Sequence, residues 1–279
     1  MNKALYIVLP LLCTVLFLYG KNHGVQHMVS IPEKEAGNHT KDSLQPDPVL
    51  ADALKIAYKH IGRNTFYKRY KVTPEGDTEI TVTISIGHPF TKESVHLIIR
   101  RESVVDVSVD IYAKSGGKFK PVAAHGEGKL TYMNDTIRDI NGDGMKDFVV
   151  SWYGASGCCL KAFSEVYVLR ADKMAFTEGM QFTNPTFSPD EKVVRGVCYG
   201  YAGMTDLYKY KWNGAATEEV EYVSYERDSE GERTGKILVT EQRNDAGDAK
   251  MIRRIDAVPV EYTNIYGYDW FTGEGIIGE

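Results

Sequence analysis

From Ile80 to Asp256 the chain keeps returning to one pattern, a short β-forming run closed by a turn. Ile80-Thr81-Val82-Thr83-Ile84-Ser85-Ile86 alternates apolar and polar residues strictly, which is the period of a strand with one buried face. Strand-like runs follow over 95–99, 104–112, 148–153, 165–169, 193–199, 207–212, 219–225, 236–241 and 250–256. Turn signals separate them: Ser115-Gly116-Gly117, Asn141-Gly142, Asn213-Gly214, Glu230-Gly231 and Asp245-Ala246-Gly247. About a dozen strands are expected. No segment between them is long enough for a crossover helix, so the sheet should be antiparallel. The expected fold class is all-β: an antiparallel meander, propeller-like or a sandwich, with one N-terminal helix. No repeat of fixed length aligns, so propeller and sandwich both stay open.

That helix is expected over Pro48 to Ile61. Asp47 is a natural N-cap with proline at the first helical position, apolar residues recur at helical spacing, and Gly62 ends it. Ahead of it lie two segments of different character. Ala4 to Tyr19 is an apolar run broken only by Pro10, Cys13 and Thr14, with Lys3 before it and Lys21 after. This is the pattern of a secretory signal, short for a spanning helix, with Gly20 at the cut. An uncleaved signal anchor is the second reading, because Leu18 suits cleavage poorly. Lipidation at Cys13 is disfavoured by Leu12 before it and by its place in mid-run. Residues 21–46 read as a tether, with prolines, glycines and few apolar residues. The expected organisation is 1–20 signal peptide or anchor, 21–46 tether, and 47–279 β-domain, with a sub-boundary near 130 left open. The expected location is outside the cytoplasm: periplasm or outer envelope, with membrane contact only through the N-terminal segment.

The 279 residues leave ample length for a core, and a net charge of −5 argues against nucleic acid as partner. The acids cluster in places, and one such cluster is a short loop. Asp139, Asn141, Asp143, the Met145 carbonyl and Asp147 occupy positions one, three, five, seven and nine, with Gly144 at the sharp sixth position. Calcium takes about six to eight hard oxygens, and this loop offers three carboxylates, an amide oxygen and a backbone oxygen. An EF-hand would need an acid at position twelve. Val150 stands there, inside Phe148-Val149-Val150, which reads as a strand leaving the loop. The expected cofactor is therefore one structural Ca²⁺ held by Asp139, Asn141, Asp143, Met145 and Asp147; a polar turn with chance acids is the plainer alternative.

Other motifs lead less far. Past residue 20 the cysteines are Cys158, Cys159 and Cys198. In an oxidising compartment Cys198 should pair with Cys158 or Cys159, and the sequence does not choose. The seven histidines show no zinc spacing, and Gly154-Ala155-Ser156-Gly157 is not a nucleophile elbow. Gly273-Glu274-Gly275-Ile276-Ile277-Gly278 fits a dinucleotide fingerprint with no helix after it. Asn38 and Asn134 match glycosylation acceptors, a weak signal. Tyr262, Tyr266, Tyr268, Trp270 and Phe271 are expected to pack a terminal strand, with a sugar-binding or partner-binding face as the minority reading. No catalytic constellation is visible, so a binding protein is expected rather than an enzyme.

The loop and its strand, Asp139 to Trp152, resemble the FG-GAP and VCBS-type calcium repeats. Gly154 to Cys159, Val166 to Leu169, Asn184 to Phe187, Gly200 to Gly203 and Tyr208 to Gly214 follow in the order seen in exported VCBS-related bacterial proteins with one such loop. The likeness covers roughly Ile137 to Val220. It implies a calcium role for the five loop residues. Some members of that family are periplasmic inhibitors of lysozyme-like hydrolases, acting as immunity proteins, so a lysozyme-like hydrolase is the partner the resemblance implies. A cell-envelope glycan-binding or adhesion module is the alternative.

Overall fold

In the computed structural model residues 47–157, 159–243 and 249–274 are described. The expectations placed on the apolar run, the tether, Asn38, Cys158 and Asp245-Ala246-Gly247 lie outside them. Half of the chain is strand, in three antiparallel sheets, and no closed barrel forms among the described residues. The all-β expectation therefore holds.

Each sheet is a meander in chain order. The first holds β1 (Phe66–Val72), β2 (Ile80–Gly87), β3 (His96–Glu102), β4 (Asp106–Ser115) and β5 (Lys118–Gly128). The second holds β6 (Tyr132–Arg138), β7 (Asp147–Tyr153), β8 (Ala162–Tyr167) and β9 (Met180–Thr183). The third holds β10 (Pro185–Ser188), β11 (Val193–Val197), β12 (Leu207–Asn213), β13 (Ala216–Arg227), β14 (Arg233–Thr240) and β15 (Met251–Ile255). Helix α1 (Pro48–Lys59) precedes them, and the Asp47 carboxylate accepts hydrogen bonds from the Val49 and Leu50 N–H groups, as its N-cap position predicts.

Alternation along the strands sets the layering. Val82, Ile84, Ile86, Leu97 and Ile99 turn one face of the first sheet to Val49, Ala53 and Ala57 of α1. Val107, Val109 and Ile111 turn the other face to Phe148, Val150 and Tyr167 of the second sheet. The second sheet's reverse face, with Val149, Val166 and Phe182, packs on Val194, Tyr208, Trp212 and Tyr222 of the third. Being covered on both faces, β7 needs apolar residues at successive positions, which is why Phe148-Val149-Val150 is continuous rather than alternating. The third sheet's outer face is capped by Tyr262, Ile265 and Phe271. All of these layers fall inside Ser43–Glu279, which forms one compact unit. A fragment 43–279 thus keeps the whole described core.

Among the described residues fifteen strands replace the expected dozen. Those not anticipated include β1, β5, β9 and β10, which run along sheet edges. An edge strand such as Phe66-Tyr67-Lys68-Arg69-Tyr70-Lys71-Val72 carries charge to block pairing with other chains, and the charge hides its period. The aromatic C-terminal stretch forms no strand. It makes a 3-10 turn, Val260–Tyr262, and a short helix α2 (Tyr268–Thr272). Gly267 and Gly273, both at φ 77°, bracket that helix. A Cβ at Gly267 would lie 2.2 Å from Leu160 Cδ2, the end of a side chain that can swing aside, so the left-handed φ is the firmer reason for glycine there.

Candidate calcium loop

The loop joins β6 to β7, whose Arg138 and Asp147 face each other across the ladder. Its acids fold it. The Asp139 carboxylate accepts from the Gly142 N–H at 2.7 Å and from the Gly144 N–H at 2.8 Å. Gly142 (φ 73°) and Gly144 (φ 82°) take the left-handed conformation that turns those N–H groups inward. Asp143 accepts from the Met145 N–H at 2.8 Å. The Asn141 side chain is buried; its oxygen accepts from the Asp143 N–H at 3.2 Å, and its amide donates to Asp143 at 3.1 Å and to the Gly214 carbonyl at 3.2 Å.

Asp147 is fully buried at the start of β7. One oxygen accepts from the Ile140 N–H at 3.1 Å, the other from the Leu169 N–H at 2.9 Å. Burial pushes its carboxyl up to about 7; the two N–H groups oppose this, and the charges of Asp143 and Asp139 add to it.

The loop also fastens neighbouring turns. The Lys146 N–H donates to the Phe90 carbonyl of the β2–β3 connection at 3.2 Å. Gly142 sits against the 3-10 turn Pro189–Glu191, where a Cβ would fall 2.1 Å from the Pro189 carbonyl oxygen. Gly214 belongs to the β12–β13 turn. One nine-residue segment thus touches connections from all three sheets. The sequence points to the loop's own residues but not to Phe90, Leu169, Pro189 or Gly214, which tertiary packing supplies.

The donor set is that of a hard cation: three carboxylates and an amide oxygen. Each carboxylate has about four acceptor positions, so the N–H bonds do not exhaust them. Among the described residues, however, no three His, Cys, Asp or Glu side chains gather tightly enough to hold a metal as they stand. Met145 enters through its N–H, and its side chain packs against the apolar cluster between the first and second sheets.

The opposite end of β7 presents a second surface. Tyr153, Tyr199, Tyr201 and Tyr266 are 37%, 38%, 63% and 47% exposed. Tyr153 ends β7, Tyr199 and Tyr201 lie on the β11–β12 connection, and Tyr266 precedes α2. The Trp270 indole N–H donates to the Gly200 carbonyl at 2.9 Å, and the Gly203 N–H donates to the Trp270 carbonyl at 2.8 Å. Lys161 is buried beneath this end, donating to the carbonyls of Ser156 and Gly157. Of the aromatic stretch, Tyr262 and Phe271 serve the core and Tyr266 faces outward. Cys159 and Cys198 are both buried. Among the described residues no helix is long and apolar enough to cross a membrane. No family model, curated protein or solved structure matches this chain.

Proposed function

We propose that this chain is an extracytoplasmic calcium-binding protein that works by binding another protein, a peptidoglycan hydrolase being the partner that the VCBS-type resemblance suggests. The carrying observation is the Asp139–Asp147 loop. Its oxygen-bearing side chains at positions one, three, five and nine lie on one turn with two left-handed glycines, and that turn ties together connections of three sheets. An ion bound there by Asp139, Asn141, Asp143, the Met145 carbonyl and Asp147 would offset the mutual repulsion of the acids and stiffen the joint. Its role is structural, and no chemical step is assigned to it.

Thermal unfolding of residues 43–279 in calcium and in EDTA tests the ion. A ligand bound only by the folded state adds about 2.7 kcal/mol at a hundred times Kd. Calcium should raise the Tm of the parent and leave that of Asp143→Ala unmoved; an equal shift in both would remove the loop from the proposal. The partner is tested by peptidoglycan clearing with a panel of lysozyme-type hydrolases, where calcium-dependent slowing of one enzyme is expected. The exposed tyrosines at the far end of β7 favour a second reading, a glycan-binding module. Retention on envelope glycans with no slowing of any hydrolase would select it.

A further inference from the structure

Between Asp52 and Glu75 the sequence has no acid but has Lys55, Lys59, Arg63, Lys68, Arg69 and Lys71. Folding gathers several of these. Helix α1 runs beside β1 with the His60 ring stacked on Phe66, centroids 3.9 Å apart, and with the Tyr70 hydroxyl 3.4 Å from Asp52. Lys68 stands between those two contacts on the face of β1 that Phe66 and Tyr70 turn to α1, with its ammonium over the Tyr70 ring, 5.1 Å from the centroid. Past the helix, Lys114 of β4 donates to the Arg63 carbonyl at 3.2 Å. Lys55, Lys59, Arg63 and Lys68 are exposed.

Two of the three acids near this face are paired with arginine. Asp47 and Asp110 both pair with Arg101, and Asp52 meets Tyr70. Edge protection accounts for Lys68 and the helix dipole for Lys59. Neither accounts for Lys55, nor for so many cations on one side of a chain of net charge −5. The hollow beside α1, lined by Pro48, Val49, Asp52, Tyr70, Val72 and Pro74, opens at the acidic end and not among the cations. Tyr58, 43% exposed, is held on the β5 side of α1, where its hydroxyl meets the Phe119 backbone. Exposed cations spread over a helix and the edge of a sheet, with no cavity among them, suit an extended anionic surface better than a small anion.

We propose that this face docks the folded unit onto a bilayer of anionic phospholipid, with Lys55, Lys59, Arg63, Lys68 and Lys114 against the headgroup phosphates. Where the apolar run Ala4 to Tyr19 is retained as an anchor, the second of its two readings, it would be the complement of this face, since stable membrane attachment takes two weak signals. The proposal is independent of the calcium loop.

The test is co-sedimentation of residues 43–279 with phosphatidylglycerol vesicles and with phosphatidylcholine vesicles, over a range of salt. Binding should require phosphatidylglycerol and fade as salt rises. The triple substitution Lys55→Gln, Lys59→Gln, Lys68→Gln should weaken it by roughly a hundredfold, with the arginine triple restoring it. A control triple, Lys173→Gln, Lys236→Gln, Lys250→Gln, lowers net charge equally on other surfaces and should cost far less. Equal binding to both lipids would overturn the proposal, as would equal loss in the control. Capture by polyglutamate without capture by vesicles would overturn it too, in favour of an acidic protein partner. Unchanged Tm in the triple variants keeps loss of folding apart from loss of binding.

Discussion

Gly142 and Gly144 share a conformation but not a reason for being glycine. They hold φ at 73° and 82° so that their N–H groups meet Asp139. Gly144 has nothing within 4 Å of where a Cβ would be, whereas at Gly142 that Cβ would strike the Pro189 carbonyl oxygen at 2.1 Å. Gly144→Ala should therefore cost about 1 kcal/mol, from the left-handed backbone alone. Gly142→Ala must also push back the turn before β11 and should cost about 2–4 kcal/mol. Urea unfolding of both variants in EDTA measures the difference without any contribution from an ion. Equal losses would show that the contact with Pro189 yields freely. The motif reading marks position six of the loop as the glycine that matters; packing makes position four the more demanding.

At the scale of elements, α1 shows how local chemistry and tertiary contact share one residue. Asp47 caps the helix through the N–H groups of Val49 and Leu50 and also pairs with Arg101 of β3. Asp47→Ala should lose about 1 kcal/mol for the cap plus a smaller contribution from the half-exposed ion pair. Asp47→Asn keeps the cap and loses the pair, so it should recover most of the stability in chemical denaturation. A loss in Asp47→Asn as large as in Asp47→Ala would shift the weight to Arg101. The capping signal, Asp before Pro, was legible in sequence because it acts over three residues. The edge strand β1 was not, because Lys68, Arg69 and Lys71 interrupt an alternation that only its pairing with β2 makes plain. The C-terminal stretch misled for a related reason. Its aromatic residues have high strand propensity, yet Gly267 and Gly273 fold them into a cap on the third sheet.

For the whole molecule, stability depends on how the stacked layers tolerate polar groups. His96 is fully buried in β3, and neither ring nitrogen makes a hydrogen bond of good geometry among the described residues. It lies edge-on to Phe90, with centroids 4.9 Å apart. Burial holds its pKa below the ordinary histidine range; the Ser94 backbone opposes this, and His88 adds to it. The unfolded chain then takes up a proton at a pH where the folded chain does not. Stability attributable to His96 is present above about pH 6.5 and is lost as pH falls below it, by up to about 1.4 kcal/mol per unit until the folded group titrates. His96→Leu should flatten that slope between about pH 5 and 7, measured as the difference from the parent in denaturant midpoint. An identical slope in the variant would mean that other groups carry the acid sensitivity.

The amino-acid sequence alone determined what short-range physics can express. Strict alternation marked β2, an unbroken apolar run marked the doubly covered β7, Asp-Pro marked the start of α1, and acids at alternate positions around two glycines marked the loop. Each is a pattern within a dozen residues, where the period of the backbone dictates which side chains share a face. Only the tertiary structure decided the rest. It split the strands into three stacked sheets, brought Phe90, Leu169, Pro189 and Gly214 to the loop, and set Lys68 on the face of β1 whose Phe66 and Tyr70 meet α1 and its C-cap. Those outcomes depend on which faces bury each other across long stretches of chain, a choice made by total apolar area and fit rather than by any local pattern.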